Sequence, residues 1–136
     1  MIDLRKNVHP HLLRSHGDNI NKPPASGHER FGLQNANGIA KGSLESLDVI
    51  FATENLHLGI FGVTEPNLAM TIERKNRINM RVQNHFGRAV ATCTSTPHKS
   101  RDYLPGGILQ LVRGTAAGRL HSRGTDTMGR YSWNTL

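Results

Sequence analysis

The sequence predicts an α/β fold: one mixed β-sheet with flanking helices, preceded by a disordered N-terminal segment. Three observations predict it. Phe31, Leu33 and Asn35 alternate with Gly32 and Gln34, which is the period of a strand. A continuous apolar run from Leu58 to Val63 is short and bounded, as a strand buried on both faces is. Between them Leu44, Leu47 and Phe51 recur at helical spacing. Strand, helix, strand is a βαβ unit. Its connection, from Gly38 to His57, is long enough for a right-handed parallel crossover.

Taken in chain order, residues 1–30 mix His9, His11, His16 and His28 with Pro10, Pro23 and Pro24 and show no apolar period, so they read as disordered. His9-x-His11 has no third ligand at the spacing of a structural metal site. Residues 31–136 form the ordered unit. Asn37-Gly38 and Lys41-Gly42 are turn signals. Ser43 is placed to cap the helix, with Glu45 near its positive end, and that helix runs to about Asn55. Residues 71–86 form a second helix, weakened by Asn76, Asn79 and Asn84. Ile78, Val82 and Phe86 make its apolar stripe, and Arg74, Arg77 and Arg81 make a separate basic one. Small and β-branched residues from Ala89 to Thr96 read as a strand in which Cys93 is a small buried hydrophobe. Pro97 to Pro105 is a polar loop, Ile108 to Arg113 a strand, and residues 114–129 a Gly-rich loop. Tyr131, Trp133 and Thr135 alternate with polar residues in a final strand.

At 136 residues, 36% hydrophobic and 5% aromatic, the chain is one domain or less, with a lean core. No apolar run approaches the length of a bilayer span, and no secretory h-region opens the sequence. One cysteine cannot form an internal disulfide. These features predict an intracellular protein, nuclear or cytoplasmic, with no membrane partner. The net charge of +7 points to anionic partners, DNA first. Its distribution is uneven: residues 31–68 hold one basic and four acidic groups, residues 69–136 eleven basic and three acidic. The first balance suits a cation and the second suits phosphate. The arginines Arg74, Arg77, Arg81 and Arg88 are either phosphate contacts or a solvated basic face.

In a parallel unit, ligands bind outside the carboxyl ends of the strands. Asn35 ends the first strand and Glu65 follows the second. As neighbours about 4.8 Å apart, the two would meet over one crevice. A carboxylate and a carboxamide are hard oxygen donors, suited to Mg²⁺, with Mn²⁺ as an alternative. No P-loop, nucleophile elbow, HExxH or paired CxxC motif competes.

The segments Gln34 to Ile39 (QNANGI) and Ile60 to Asn67 (IFGVTEPN), followed by Tyr103-Leu-Pro-Gly-Gly107 and Asp126-Thr-Met-Gly-Arg-Tyr131, together resemble the endonuclease/exonuclease/phosphatase superfamily. They are most like the apurinic/apyrimidinic-type endonuclease domain of non-LTR retrotransposons. The resemblance spans residues 31–136. It implies half of a DNase I-like two-sheet sandwich, with Asn35 orienting metal and phosphate, Glu65 binding the metal and Tyr103 near the substrate phosphate. Gln34 stands where relatives carry Trp, and Pro66 where they carry a small hydroxyl residue.

The resemblance further implies a Mg²⁺-dependent DNA phosphodiesterase. Its second-half motifs, G-D-x-N and S-D-H, which activate water, do not occur in these 136 residues. The expectation is therefore a fragment of such an endonuclease, inactive alone and self-associating through an uncovered sheet face. A non-catalytic basic nucleic-acid-binding module is the alternative.

Overall fold

The computed structural model describes residues 19–39, 53–96 and 104–136. The expected helix from Ser43 falls outside them, apart from a 3₁₀ turn at Thr53–Leu56, and so do Tyr103 and most of the 97–105 loop. Of the N-terminal segment, residues 19–30 are described and contain no helix or strand. They are anchored at their end: the Arg30 guanidinium donates to the carbonyls of Asn19, Lys22 and Leu56 at 3.2, 2.9 and 2.5 Å.

Four strands form the main sheet: β1 (Phe31–Asn35), β2 (Ile60–Thr64), β3 (Ala89–Thr94) and β4 (Ile108–Arg113). Their order is β1-β2-β4-β3. β1 and β2 are parallel in the register Phe31↔Ile60 to Asn35↔Thr64, as the βαβ reading required. β4 runs antiparallel to both β2 and β3, which makes the sheet mixed. β1, β2 and β3 thus all point their carboxyl ends to one edge.

Helix α1 (Ile72–Phe86) joins β2 to β3. Thr71 caps it, its hydroxyl accepting from the Arg74 N–H at 3.2 Å, and Glu73 sits in the positive first turn. Gly87 ends it at φ 75°. Ile78 and Val82 are its buried residues. The β-strand register places Phe61, Val63, Ala89, Ala91, Cys93, Leu109 and Leu111 on the sheet face beneath them, and all are buried in one cluster. Small residues on β3 let the helix sit close, and Cys93, 4% exposed, fills that space. Desolvation there pushes the Cys93 thiol up to about 12, despite Lys75 and Arg123 nearby.

The opposite sheet face receives a hairpin. Residues 114–129 are not the continuous loop expected: they contain a short helix, α2 (Gly114–Gly118), and a strand, β5 (Ser122–Thr125). β5 pairs antiparallel with β6 (Ser132–Thr135), the expected final strand. The hairpin docks by polar contacts: Asn134 Nδ2 donates to Gln110 Oε1 at 3.0 Å, and the Thr92 hydroxyl donates to Asn134 Oδ1 at 3.4 Å. It covers β3 and β4. Over β1 and β2 this face stays open, with Phe31 and Leu33 70% and 77% exposed.

Candidate metal and phosphate site

The candidate site is built from three loops at the carboxyl edge. Beyond its last paired residue, β1 keeps following β2. Ala36 N–H donates to Thr64 O at 3.0 Å, Gly38 N–H to Glu65 O at 2.8 Å, and Ile39 N–H to Pro66 O at 2.9 Å. The two segments QNANGI and TEPN are therefore zipped side by side. The third, containing Gly106 and Gly107, closes on the far side of β2. Glu65 N–H donates to Gly107 O at 3.1 Å, and Asn67 N–H to Gly106 O at 3.0 Å.

Local conformation explains why these residue types stand here. Asn35 ends β1 with its Oδ1 accepting from the Asn37 N–H at 2.9 Å, an Asx turn. Asn37, Glu65 and Asn67 all have left-handed backbone, at φ 46°, 54° and 54°. Asparagine visits that region at little cost; glutamate does so rarely, and a conformation of this kind collects at functional sites. Pro66, almost fully buried, has its own φ fixed by its ring directly after Glu65. Gly107 is required on two counts: its φ is 89°, and a Cβ would come within 2.9 Å of Thr94 O.

Asn67 ties the loops together and was missed as a site residue. It is 8% exposed, and its Oδ1 accepts from the Gly106 N–H at 2.7 Å. Its carbonyl accepts from the Leu104 N–H at 3.3 Å. The available sequence signal was the Pro-Asn pair directly after Glu65.

The fourth segment reaches the same edge from the hairpin. Asp126 Oδ1 accepts from Arg130 N–H at 2.8 Å and Tyr131 N–H at 3.0 Å, so the Asp-x-x-Gly-Arg-Tyr run is a closed turn. The Tyr131 N–H is the largest of the influences holding the Asp126 carboxyl below its ordinary 3.8. Gly129 presses this turn onto the end of β3: a Cβ there would lie 2.2 Å from the Ser95 carbonyl carbon. Asp126, Lys75, Thr71 and Ser95 line a cleft of about 400 Å³ between the turn and the start of α1.

Asn35 and Glu65, predicted to meet, are placed at neighbouring parallel strand ends, and both are exposed. No described residue pairs with the Glu65 carboxylate. Among the described residues no three His, Cys, Asp or Glu side chains cluster. The donor set is thus one free carboxylate and one carboxamide, with the rest of a coordination sphere left to water and phosphate. That composition fits Mg²⁺ or Mn²⁺, which keep several waters and take few protein oxygens.

The four arginines differ in exposure and in partners. Arg74 is half-buried and its guanidinium donates to the Ala69 carbonyl. Arg77 is exposed on α1, and Arg81 is partly buried. Arg88, beyond the helix, lies against Gly118 of α2, where a Cβ would come 2.7 Å from its guanidinium. His85, with no assigned role, pairs with Glu54 at 3.1 Å. No described helix is long and apolar enough to cross a membrane. Neither a family model, a curated protein nor a solved structure matches the chain.

Proposed function

We propose that residues 31–136 carry the metal-binding side of a Mg²⁺-dependent DNA phosphodiesterase, the N-terminal half of a DNase I-like endonuclease domain of the retrotransposon type. One observation supports this reading above the others. Three sequence segments far apart in the chain, around Asn35, Glu65 and Gly106, are joined by main-chain hydrogen bonds at a single sheet edge. There the Glu65 carboxylate has no partner among the described residues, and Asn35 Oδ1 beside it accepts only from the Asn37 N–H.

Glu65 and Asn35 would hold the cation, and Asn35 would orient a phosphate oxygen. When bound, the ion polarises that phosphate. Glu65 follows the strand end with a left-handed backbone, and its side chain is exposed. The acid–histidine pair Glu54–His85 precedes the amino ends of β2 and β3, at the opposite edge from Asn35 and Glu65. The reading therefore predicts metal binding without DNA cleavage.

Mn²⁺-induced water relaxation, run on the wild type and on Glu65→Gln, tests it. Millimolar binding, about 4 kcal/mol, should be lost in the variant. Equal binding in both would defeat the assignment. Nicking of plasmid DNA that disappears in Glu65→Ala would reject the prediction of inactivity.

The alternative, a non-catalytic nucleic-acid-binding module, draws support from the eleven basic groups of residues 69–136 and from exposed Arg77. It requires salt-dependent DNA binding that is indifferent to Glu65. Because Arg74 is tied to Ala69, replacing Arg77 and Arg88 is the sharper test of that reading.

A further inference from the structure

The chain contains a single Asn-Gly dipeptide, Asn37-Gly38, and it lies at the candidate site. We propose that Asn37 is a spontaneous modification site whose reaction is gated by the pairing of the β1 and β2 loops. In the reaction the Gly38 amide nitrogen gives its proton to water, and the freed lone pair attacks Asn37 Cγ. The Cγ–Nδ2 bond breaks, and ammonia leaves with the proton returned to it. The resulting succinimide is opened by water at either of its two C–N bonds, giving aspartate or isoaspartate. Water is the sole co-reactant.

Everything the reaction needs except one thing is present. Both residues are exposed, and glycine offers no side chain to block the attack. Asn37 already sits off the strand, at φ 46°. The missing element is a free nucleophile. The Gly38 N–H donates to the Glu65 carbonyl at 2.8 Å, and Ile39 N–H to the Pro66 carbonyl at 2.9 Å. An amide that donates this bond holds its proton more tightly, and its nitrogen lone pair stays delocalised into the peptide carbonyl. The reaction therefore proceeds through the fraction of molecules in which the β1 loop has separated from β2. Its rate reports that local opening, in the way that hydrogen exchange does.

The product does not return to the starting geometry. Aspartate adds a carboxylate to the rim that already holds Glu65. Isoaspartate routes the main chain through the side chain and lengthens it by one atom, so that Gly38 and Ile39 cannot both keep their partners on Glu65 and Pro66. An opening event is thus converted into a lasting change of the site. The proposal stands independently of the phosphodiesterase reading.

The experiment incubates the full chain at mildly alkaline pH, folded and in urea, and follows the amide-to-acid mass increase in the peptide containing Asn37. Asn37→Asp, which has no side-chain amide to lose, serves as the control that shows no mass increase. The expected result is modification at Asn37 in both states, slower in the folded chain by about tenfold or more. Sub-denaturing urea should accelerate it before global unfolding begins. Equal rates in the two states, or a faster folded reaction, would overturn the gating. Absence of modification at Asn37 in urea would overturn the site itself.

Discussion

The two outer strands of the sheet are finished in opposite ways. At β3 the outward peptide groups of Ala91 are both taken: its N–H donates to Asn79 Oδ1 at 2.9 Å, and its carbonyl accepts from Asn79 Nδ2 and Arg123 at 3.0 and 3.1 Å. A helix side chain and a hairpin side chain thereby seal that edge. At β1 the alternate residues Phe31 and Leu33 are exposed, and their side chains lie on the face that the hairpin leaves bare. Sealed edges suppress pairing with other chains, whereas open ones permit it. The open strand is also the one that ends in Asn35. Among the described residues, the candidate site thus lies at the end of a strand whose apolar side chains are largely uncovered.

The largest expected effect contrasts the buried centre with the open rim. Leu109, 1% exposed, lies under α1. Leu109→Ala should cost about 2–5 kcal/mol in urea unfolding. Leu33→Ala should cost no more than about 0.5 kcal/mol. Similar losses at the two positions would erase the distinction between the regions.

Next comes alkaline pH. The folded Cys93 thiol is raised from 9.0 to about 12, so burial favours the protonated form. Its contribution to stability is complete below 9.0 and is lost as pH rises toward 12. The urea midpoint should fall across that window, and less steeply in Cys93→Ala. A flat profile in the wild type would show that the thiol is not sealed.

Asn79→Ala leaves the Ala91 N–H without its partner, for an expected loss of about 1–3 kcal/mol. Hydrogen exchange at Ala91 should rise more than at residues of β4. Uniform acceleration along the sheet would mean that Asn79 does not protect the edge.

The smallest effect on stability is expected from Phe31→Ser with Leu33→Ser. Self-association through the uncovered face, expected from the sequence, would be relieved by this pair while the unfolding midpoint holds. Sedimentation velocity at micromolar concentration checks it. A wild type that is already monodisperse would remove that expectation.

Much of this was legible in the sequence, and the physical reasons are specific. β1 and β2 announced themselves by alternation and by a bounded apolar run, and their parallel pairing followed from the length between them. Ile78 and Val82 carried the period of α1. β5 could not be read, because Ser-Arg-Gly-Thr has no apolar alternation; it pairs by backbone and docks by polar side chains. α2, with a glycine at each end, has no propensity signal. The three asparagines of α1 appeared only as helix weakeners, whereas Asn79 exchanges helix propensity for two bonds to β3. At the site, the adjacency of Asn35 and Glu65 was legible from topology. The left-handed turn at Glu65 and the central place of Asn67 were not, since both depend on Gly106 and Gly107 arriving from elsewhere in the chain.

The parallel pairing of β1 with β2 also sets an order of events in time. β3 and β4 belong to one antiparallel pair, with α1 adjoining them in the chain, whereas β1 must close a connection from Asn35 to Ile60 before its first contact with β2 is made. Closing a long loop costs entropy that only the completed pairing returns. On that cost we expect β1 to pair after β3 and β4 have met. In a mutational map of the folding transition state, substitutions in α1, β3 and β4 should slow folding. Those in β1 should act mainly on unfolding, the outcome expected if the candidate site assembles after β3 and β4 have paired.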